Sequence, residues 1–181
     1  MDKVTLQPVL EDDKILAVPL QQDDFERLYT VASDPEIWAH HPNKNRYQRE
    51  VFQTFFEGAM QSGGALLVTD KASGNVIGSS RFYDWNPADK SILIGYTFFA
   101  RDHWGRGYNH RLKRLMLRHA FEFAEKVIFH IGAVNIPSQK SIVKIGAVKT
   151  GEQEVKYFGE VPKLNFVYEI TKSVFLENDT H

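Results

Sequence analysis

The chain of 181 residues is 43% hydrophobic and 25% charged, with a formal net charge of −1 and no cysteine. That length holds one domain, 1–181, whose core needs neither disulfide nor structural metal, and the lack of thiols excludes a disulfide framework, a thiolate metal centre and a cysteine nucleophile. The charge supplies no global field toward nucleic acid or anionic membrane, and neither a basic-then-apolar leader nor an apolar run of about 20 residues is present, so the expectation is a cytoplasmic protein.

In chain order, Val4 to Leu10 and Ile15 to Leu20 read as short strands around the polar turn Glu11 to Lys14. A helix follows, with Asp23 and Glu26 in the form of a capping box and Phe25, Leu28, Tyr29 and Ala32 on one face. Asp34-Pro35 ends it, and Glu36 to Arg46 reads as an irregular connection. A second helix from about Tyr47 to Gln61 stops at Ser62-Gly63-Gly64. Ala65 to Thr69 and Val76 to Tyr83 then form a hairpin, and the loop Asp84 to Lys90 leads to Ser91 to Phe99, the most apolar strand. A third helix runs from near Asn109 to about Glu125, followed by a strand Val127 to Gly132, a short helix Ser138 to Ile145, and strands at about Ala147 to Val155 and Leu164 to Thr171. This order predicts an α/β (α+β) fold, one mixed sheet with helices on both faces and a parallel crossover from Ser91 to Gly132.

The turn from Arg101 to Asn109 holds two glycines one residue apart. Glycine lets backbone N–H groups approach a ligand, and the helix that follows adds unpaired amides and a partial positive charge, so the turn predicts an anion site suited to a pyrophosphate. Arg101, Arg106, Arg111, Lys113, Arg114 and Arg118 add six cations around it. The same residues read otherwise as a tight turn with a solvated basic helix face. No Gly-Lys-Ser/Thr is present, and no third glycine or acidic ribose reader, so neither an ATP P-loop nor a dinucleotide fingerprint fits.

Downstream lies a second cluster, Asn135-x-x-Ser138-x-x-Ser141 closed by Gly146. With Phe98 to Asn109 it resembles the GNAT superfamily of acyl-coenzyme A-dependent N-acetyltransferases, over nearly the whole chain, and most closely the branch that holds the ribosomal-protein N-terminal enzymes. The resemblance implies a mostly antiparallel GNAT-type sheet with acetyl-coenzyme A as cosubstrate. It places the pyrophosphate loop on Trp104, Gly105, Arg106, Gly107, Tyr108 and Asn109, pantetheine pairing on Phe98, Phe99 and Ala100, and further coenzyme contacts on Asn135, Ser138 and Ser141. Ser138 takes the place of a serine that protonates the leaving thiolate in some members. Trp104 stands where Gln or Arg is usual, Asn109 where a small residue is usual but where it can cap the helix, and Ile142 where many members carry a tyrosine acid.

The activity implied is direct acetyl transfer to a primary amine, of a protein or peptide N-terminus or a small molecule, with the oxyanion met by backbone N–H near Phe99. A base is needed. The strand Ser91 to Phe99 carries no carboxylate, which leaves Asp84 and His40 or His41 as candidates. Asp84 reads also as a turn residue, and the histidines as exposed loop residues. Arg81 calls for a partner if buried, either an acceptor carboxylate or an acid of a neighbouring strand. No metal-ligand spacing is evident. The expected partner is the amine acceptor, not nucleic acid or membrane; a homodimer is compatible with the sequence, which does not define the oligomeric state. A catalytically silent acyl-coenzyme A-binding sensor is the alternative.

Overall fold

The computed structural model describes residues 4–179. Its strands are β1 (Leu10–Glu11), β2 (Ile15–Pro19), β3 (Ala65–Asp70), β4 (Val76–Asn86), β5 (Ser91–Phe99), β6 (Lys126–Gly132), β7 (Val148–Val155) and β8 (Lys163–Thr171). They form one sheet in the order β1-β2-β3-β4-β5-β6-β8-β7. Every neighbouring pair is antiparallel except β5 and β6, which are parallel. The helices are α1 (Phe25–Ala32), α2 (Arg49–Ser62), α3 (Tyr108–Ala120), α4 (Ile136–Lys144) and α5 (Lys172–Asp179). The α/β class, the mixed sheet and the parallel β5–α3–β6 crossover are as the element order predicts, and the mostly antiparallel pairing is as the resemblance implies.

Alternation along the strands divides the core between the two faces of the sheet. In β3, Leu66 and Val68 join Leu112 and Met116 of α3, whereas Ala65 and Leu67 join Leu28 of α1 and Phe52 and Phe56 of α2. In β5 the parity changes midway. Ile92 and Ile94 face α3, but beyond them Phe98 faces α2 and Phe99 faces α3. One extra residue accounts for the switch. Ser79 pairs Phe98 and Arg81 pairs Gly95, so a two-residue step on β4 meets a three-residue step on β5. Tyr96, inside that step, has a φ of 55°. This is a β-bulge held by a non-glycine residue in the left-handed region.

Several boundaries differ from the sequence reading, four of them for a visible reason. Of the first predicted strand only Leu10 pairs with β2, joined by Glu11 from the predicted turn; Pro8 has no N–H to give a ladder. The N-cap position of the first helix is Asp24, not Asp23, and its side chain does not cap α1 but accepts the Gln21 N–H at 2.8 Å, closing the turn before the helix. β4 runs on to Asn86 through Asp84, whose φ is 51°. α3 stops at Ala120, because the N–H groups of Glu125 and Lys126 must reach the Lys90 carbonyl as β6 begins. α5 has no counterpart in the periodicity. Among its residues only Phe175 is buried, against Phe121.

Candidate active site

Parallel pairing of β5 with β6 covers Ser91 to Leu93 against Lys126 to Ile128 and then ceases. Beyond it the two strands part, and a cavity of about 870 Å³ occupies the opening. On the β5 wall the peptide planes fix which groups are free. A Cβ placed on Gly78 of β4 would lie 2.1 Å from the Phe98 carbonyl oxygen, so that carbonyl points at β4. The Ala100 N–H also points that way, donating to Ile77 O at 2.7 Å. In a trans peptide the N–H opposes the preceding carbonyl, so the Phe99 N–H and C=O both turn toward the cleft. The Phe99 carbonyl accepts from the indole N–H of Trp104 at 2.9 Å. The Phe99 N–H is left as a donor on the open edge, whereas the Ala100 N–H is spent on β4.

The turn before α3 lies at the mouth of this cleft, with Trp104, Gly105, Gly107, Tyr108 and Asn109 on its wall. Gly105 and Gly107 have φ of 67° and 83°, and nothing lies within 4 Å of where their Cβ would be. Conformation, not crowding, requires glycine here. Gly107 is the N-cap of α3 and no side chain caps the helix, so its first amides remain available to an anion. Asn109 does not serve as the cap. Its Nδ2 donates to Ser141 Oγ at 3.1 Å, while its Oδ1 is buried with no hydrogen-bond partner. The Tyr108 hydroxyl turns away to donate to Asp70 Oδ1 at 3.0 Å, a bond that holds its phenol above the ordinary range. Arg106 stands outside the cleft, its guanidinium on the Asp102 carbonyl at 3.1 Å.

The six cations do not converge on the turn. Arg101 pairs with Asp34, Arg111 with Asp12 and Asp13, and Arg114 and Arg118 with Asp179. Lys113 points into the cleft instead. The α4 wall contributes Lys140 and Lys144 together with Ser138, Ser141 and Ile142. Asn135 caps α4, its Oδ1 accepting the Ser138 N–H at 3.3 Å.

The far end of the cleft is aromatic and basic. Tyr96, Phe98, His41, His130, Tyr157 and Arg46 line it. Arg46 is buried, bonded through two nitrogens to Glu160 at 2.7 and 2.9 Å, and lies over the rings of Trp38, Phe55 and Tyr157. The connection after β7 thus folds back on α2 and helps to close this end. Arg81, behind the wall, is buried and among the described residues has no carboxylate at ion-pair distance; it sits 3.7 Å from the Tyr96 ring centroid, and burial lowers its pKa to about 10. Of the described residues that line the cleft, none is Asp or Glu.

These surroundings rearrange the candidate bases. Burial holds the His41 imidazole at a pKa of about 3, against Trp38 and near Arg46, which makes it a very weak base rather than one poised at neutral pH. His40 is exposed on the rim. Asp84 is exposed on β4 and absent from the cleft wall, but its charge reaches His130. His130 is the residue that the sequence reading missed. It follows the last parallel pair of β6 by two positions, lines the cleft, and is kept below its ordinary pKa by burial, an effect that Asp84 opposes. Alternation along Val127 to Gly132 marks it as facing away from Phe129 and Ile131, the one signal available before the fold is known.

The description "Acetyltransferase (GNAT) domain" belongs to a family model that matches residues 14–148. Solved structures share the fold. A GCN5-related N-acetyltransferase from Brucella melitensis is 17% identical, covering 96% of this chain and 85% of its own with a TM-score of 0.81. Spermidine N-acetyltransferase from Vibrio cholerae, in complex with CoA and spermine, is 16% identical, with coverage of 91% and 99% and a TM-score of 0.68. Mycobacterium smegmatis RimJ in complex with CoA-disulfide is 14% identical, with coverage of 88% and 82% and a TM-score of 0.70. Matched over most of its length, the chain belongs to the GNAT acetyltransferase family.

Proposed function

We propose that the protein moves an acetyl group from acetyl-coenzyme A directly to a primary amine. The observation that carries this is the opening between β5 and β6, with the free Phe99 N–H on its edge and a double-glycine helix N-terminus at its mouth. The amides after Gly105 receive the pyrophosphate, and the edge of β5 pairs with the pantetheine arm. The Phe99 N–H meets the developing oxyanion. The orphaned Asn109 Oδ1 and the side chains of Asn135, Ser138 and Ser141 supply polar contacts along the same arm. Alignment of the two substrates in a narrow cleft supplies much of the rate enhancement.

His130 is the base in this reading, taking the amine proton directly or through water, with Asp84 behind it holding the imidazole more basic than burial alone would leave it. The acceptor follows from the same wall. A polycation finds no carboxylate there and meets Arg46 with its charge already paired. A single amine with apolar or aromatic neighbours, such as a peptide N-terminus or a small monoamine, suits the ring-lined end. In this proposal the protein belongs with the GNAT enzymes that acetylate peptide N-termini.

Thiol release from acetyl-coenzyme A, measured with peptides of varied N-terminal residue, small monoamines and spermidine, tests this. Acetylated peptide or monoamine, identified by mass, is the expected result. Coenzyme binding without turnover on any amine would favour the silent sensor instead.

A further inference from the structure

Lys113 is 5% exposed, and it occupies an inward position on α3 among Leu112, Met116 and Leu117. Among the described residues its ammonium has no carboxylate within ion-pair distance. Nζ donates to Thr97 Oγ1 at 2.5 Å, and that hydroxyl also contacts Ser80 Oγ at 2.8 Å. An unpaired buried ammonium costs the fold free energy that methionine in the same space would not. Packing therefore gives no reason for lysine at this position.

Its location gives one. Lys113 lines the cleft, and Thr97 lies between the bulged Tyr96 and the two phenylalanines where β5 offers its open edge. α3 covers the face of the sheet opposite α1 and α2. Tyr96, His130 and Tyr157 gather at the α2 end, where the acceptor enters, so Lys113 approaches the same reacting atoms from the other side. A group behind the thioester is placed to serve the leaving sulfur, not the incoming nitrogen.

We propose that Lys113 is the proton donor to the thiolate that leaves when the acetyl group is transferred. The proposal rests on the acetyl-coenzyme A reading above. The acceptor nitrogen bonds to the carbonyl carbon, the carbon–sulfur bond breaks with its electron pair on sulfur, and Nζ gives sulfur a proton. The proton lost by the amine goes to His130. Lys113, left neutral, is recharged from water once the coenzyme departs. The bound polyanion supplies the counter-charge that the protein withholds. The other titratable or charged groups of the cleft are His103, Tyr108 and His110 around the start of α3, His40, His41 and Arg46 before α2, Tyr96 and His130 on β5 and β6, Lys140 and Lys144 on α4, and Tyr157 after β7. None is a carboxylate, and burial alone sets the Lys113 pKa, at about 7, close to working pH.

Two variants and two readouts test this. Lys113→Met should lower kcat by about 10²-fold and remove the loss of activity that wild type shows as pH rises through the lysine pKa. Lys113→Arg keeps a charge but cannot release a proton, and should be as slow as Lys113→Met. Independently of turnover, the thiolate absorbance of bound coenzyme A should develop at lower pH in wild type than in Lys113→Met, because the ammonium stabilises the anion. If neither variant folds, lysine-selective NMR of wild type replaces them, and the Lys113 pKa should rise when coenzyme A binds. An unchanged pH profile in Lys113→Met, full activity in Lys113→Arg, a bound thiol indifferent to the substitution, or a Lys113 pKa unmoved by coenzyme would each overturn the assignment. Failure of wild type to acetylate any amine would instead count against the functional reading.

Discussion

Gly107 shows how a residue can matter without touching anything. A Cβ there has open space, but a φ of 83° costs an L-residue about 1–2 kcal/mol. Relief of that strain lets the first turn of α3 move, and a side chain would also stand beside the amides offered to the phosphates. Gly107→Val should therefore weaken coenzyme A binding by about tenfold or more, with little change in helix content, when titrated calorimetrically and by circular dichroism. Unchanged affinity would remove the turn from the site. His41 illustrates the reverse case, a half-buried titratable group, desolvated by its surroundings, whose consequence is stability. Its folded pKa of about 3 lies far below the ordinary 6.5, so between those values the unfolded chain binds the proton and the folded chain resists it. Stability contributed by the neutral imidazole is present above pH 6.5 and is lost as pH falls toward 3. Urea midpoints of wild type should drop between pH 7 and pH 5 by more than those of His41→Gln, and parallel drops would show that His41 is more solvated than its packing against Trp38 implies.

At the scale of elements, β5 and α3 carry the site, and the link between them is the Trp104 indole on the Phe99 carbonyl. Trp104→Phe keeps an aromatic ring and removes that hydrogen bond, whose net worth is about 1 kcal/mol. Coenzyme affinity should fall several-fold in a direct titration, with a Tm within a few degrees of wild type. No change in affinity would mean that the turn is held by its other contacts. Much of this framework was legible beforehand. Helical spacing located α2, α3 and α4 to within a few residues, and the turn chemistry of Asp70 to Asn75 located the β3–β4 hairpin. The bulge at Tyr96 was not legible. Ser91 to Phe99 is apolar throughout, and the extra residue is defined only against its partners on β4. α5 escaped for a related reason. It is held by Phe175 on Phe121 and by Asp179 on Arg114 and Arg118, contacts more than 50 residues away in sequence. The cofactor side of the site came from a local turn and was readable. The base did not, because His130 acquires its environment only when β6 parts from β5 and Asp84 arrives from β4.

For the whole molecule, the net charge of −1 conceals a strong separation of sign. Asp12, Asp13, Asp34 and Asp179 are engaged with arginines around α3, while the cleft wall holds Lys113, Lys140 and Lys144 and no carboxylate. Such a cleft attracts a polyanion although the molecule does not. Coenzyme A at about 100 times its Kd should add about 2.7 kcal/mol to stability, which for a chain of this size is a rise of roughly 5–10 °C in Tm. Lysines on the open wall are screened by salt, so the rise at fixed coenzyme concentration should shrink between low and high ionic strength. Adenosine, which lacks the phosphates, should give little rise under either condition. A shift that ignores salt would mean that affinity comes from pantetheine and adenine contacts and not from the charged wall. No shift at all would remove the cosubstrate from the reading, because a cleft that does not bind the donor cannot align it with an amine.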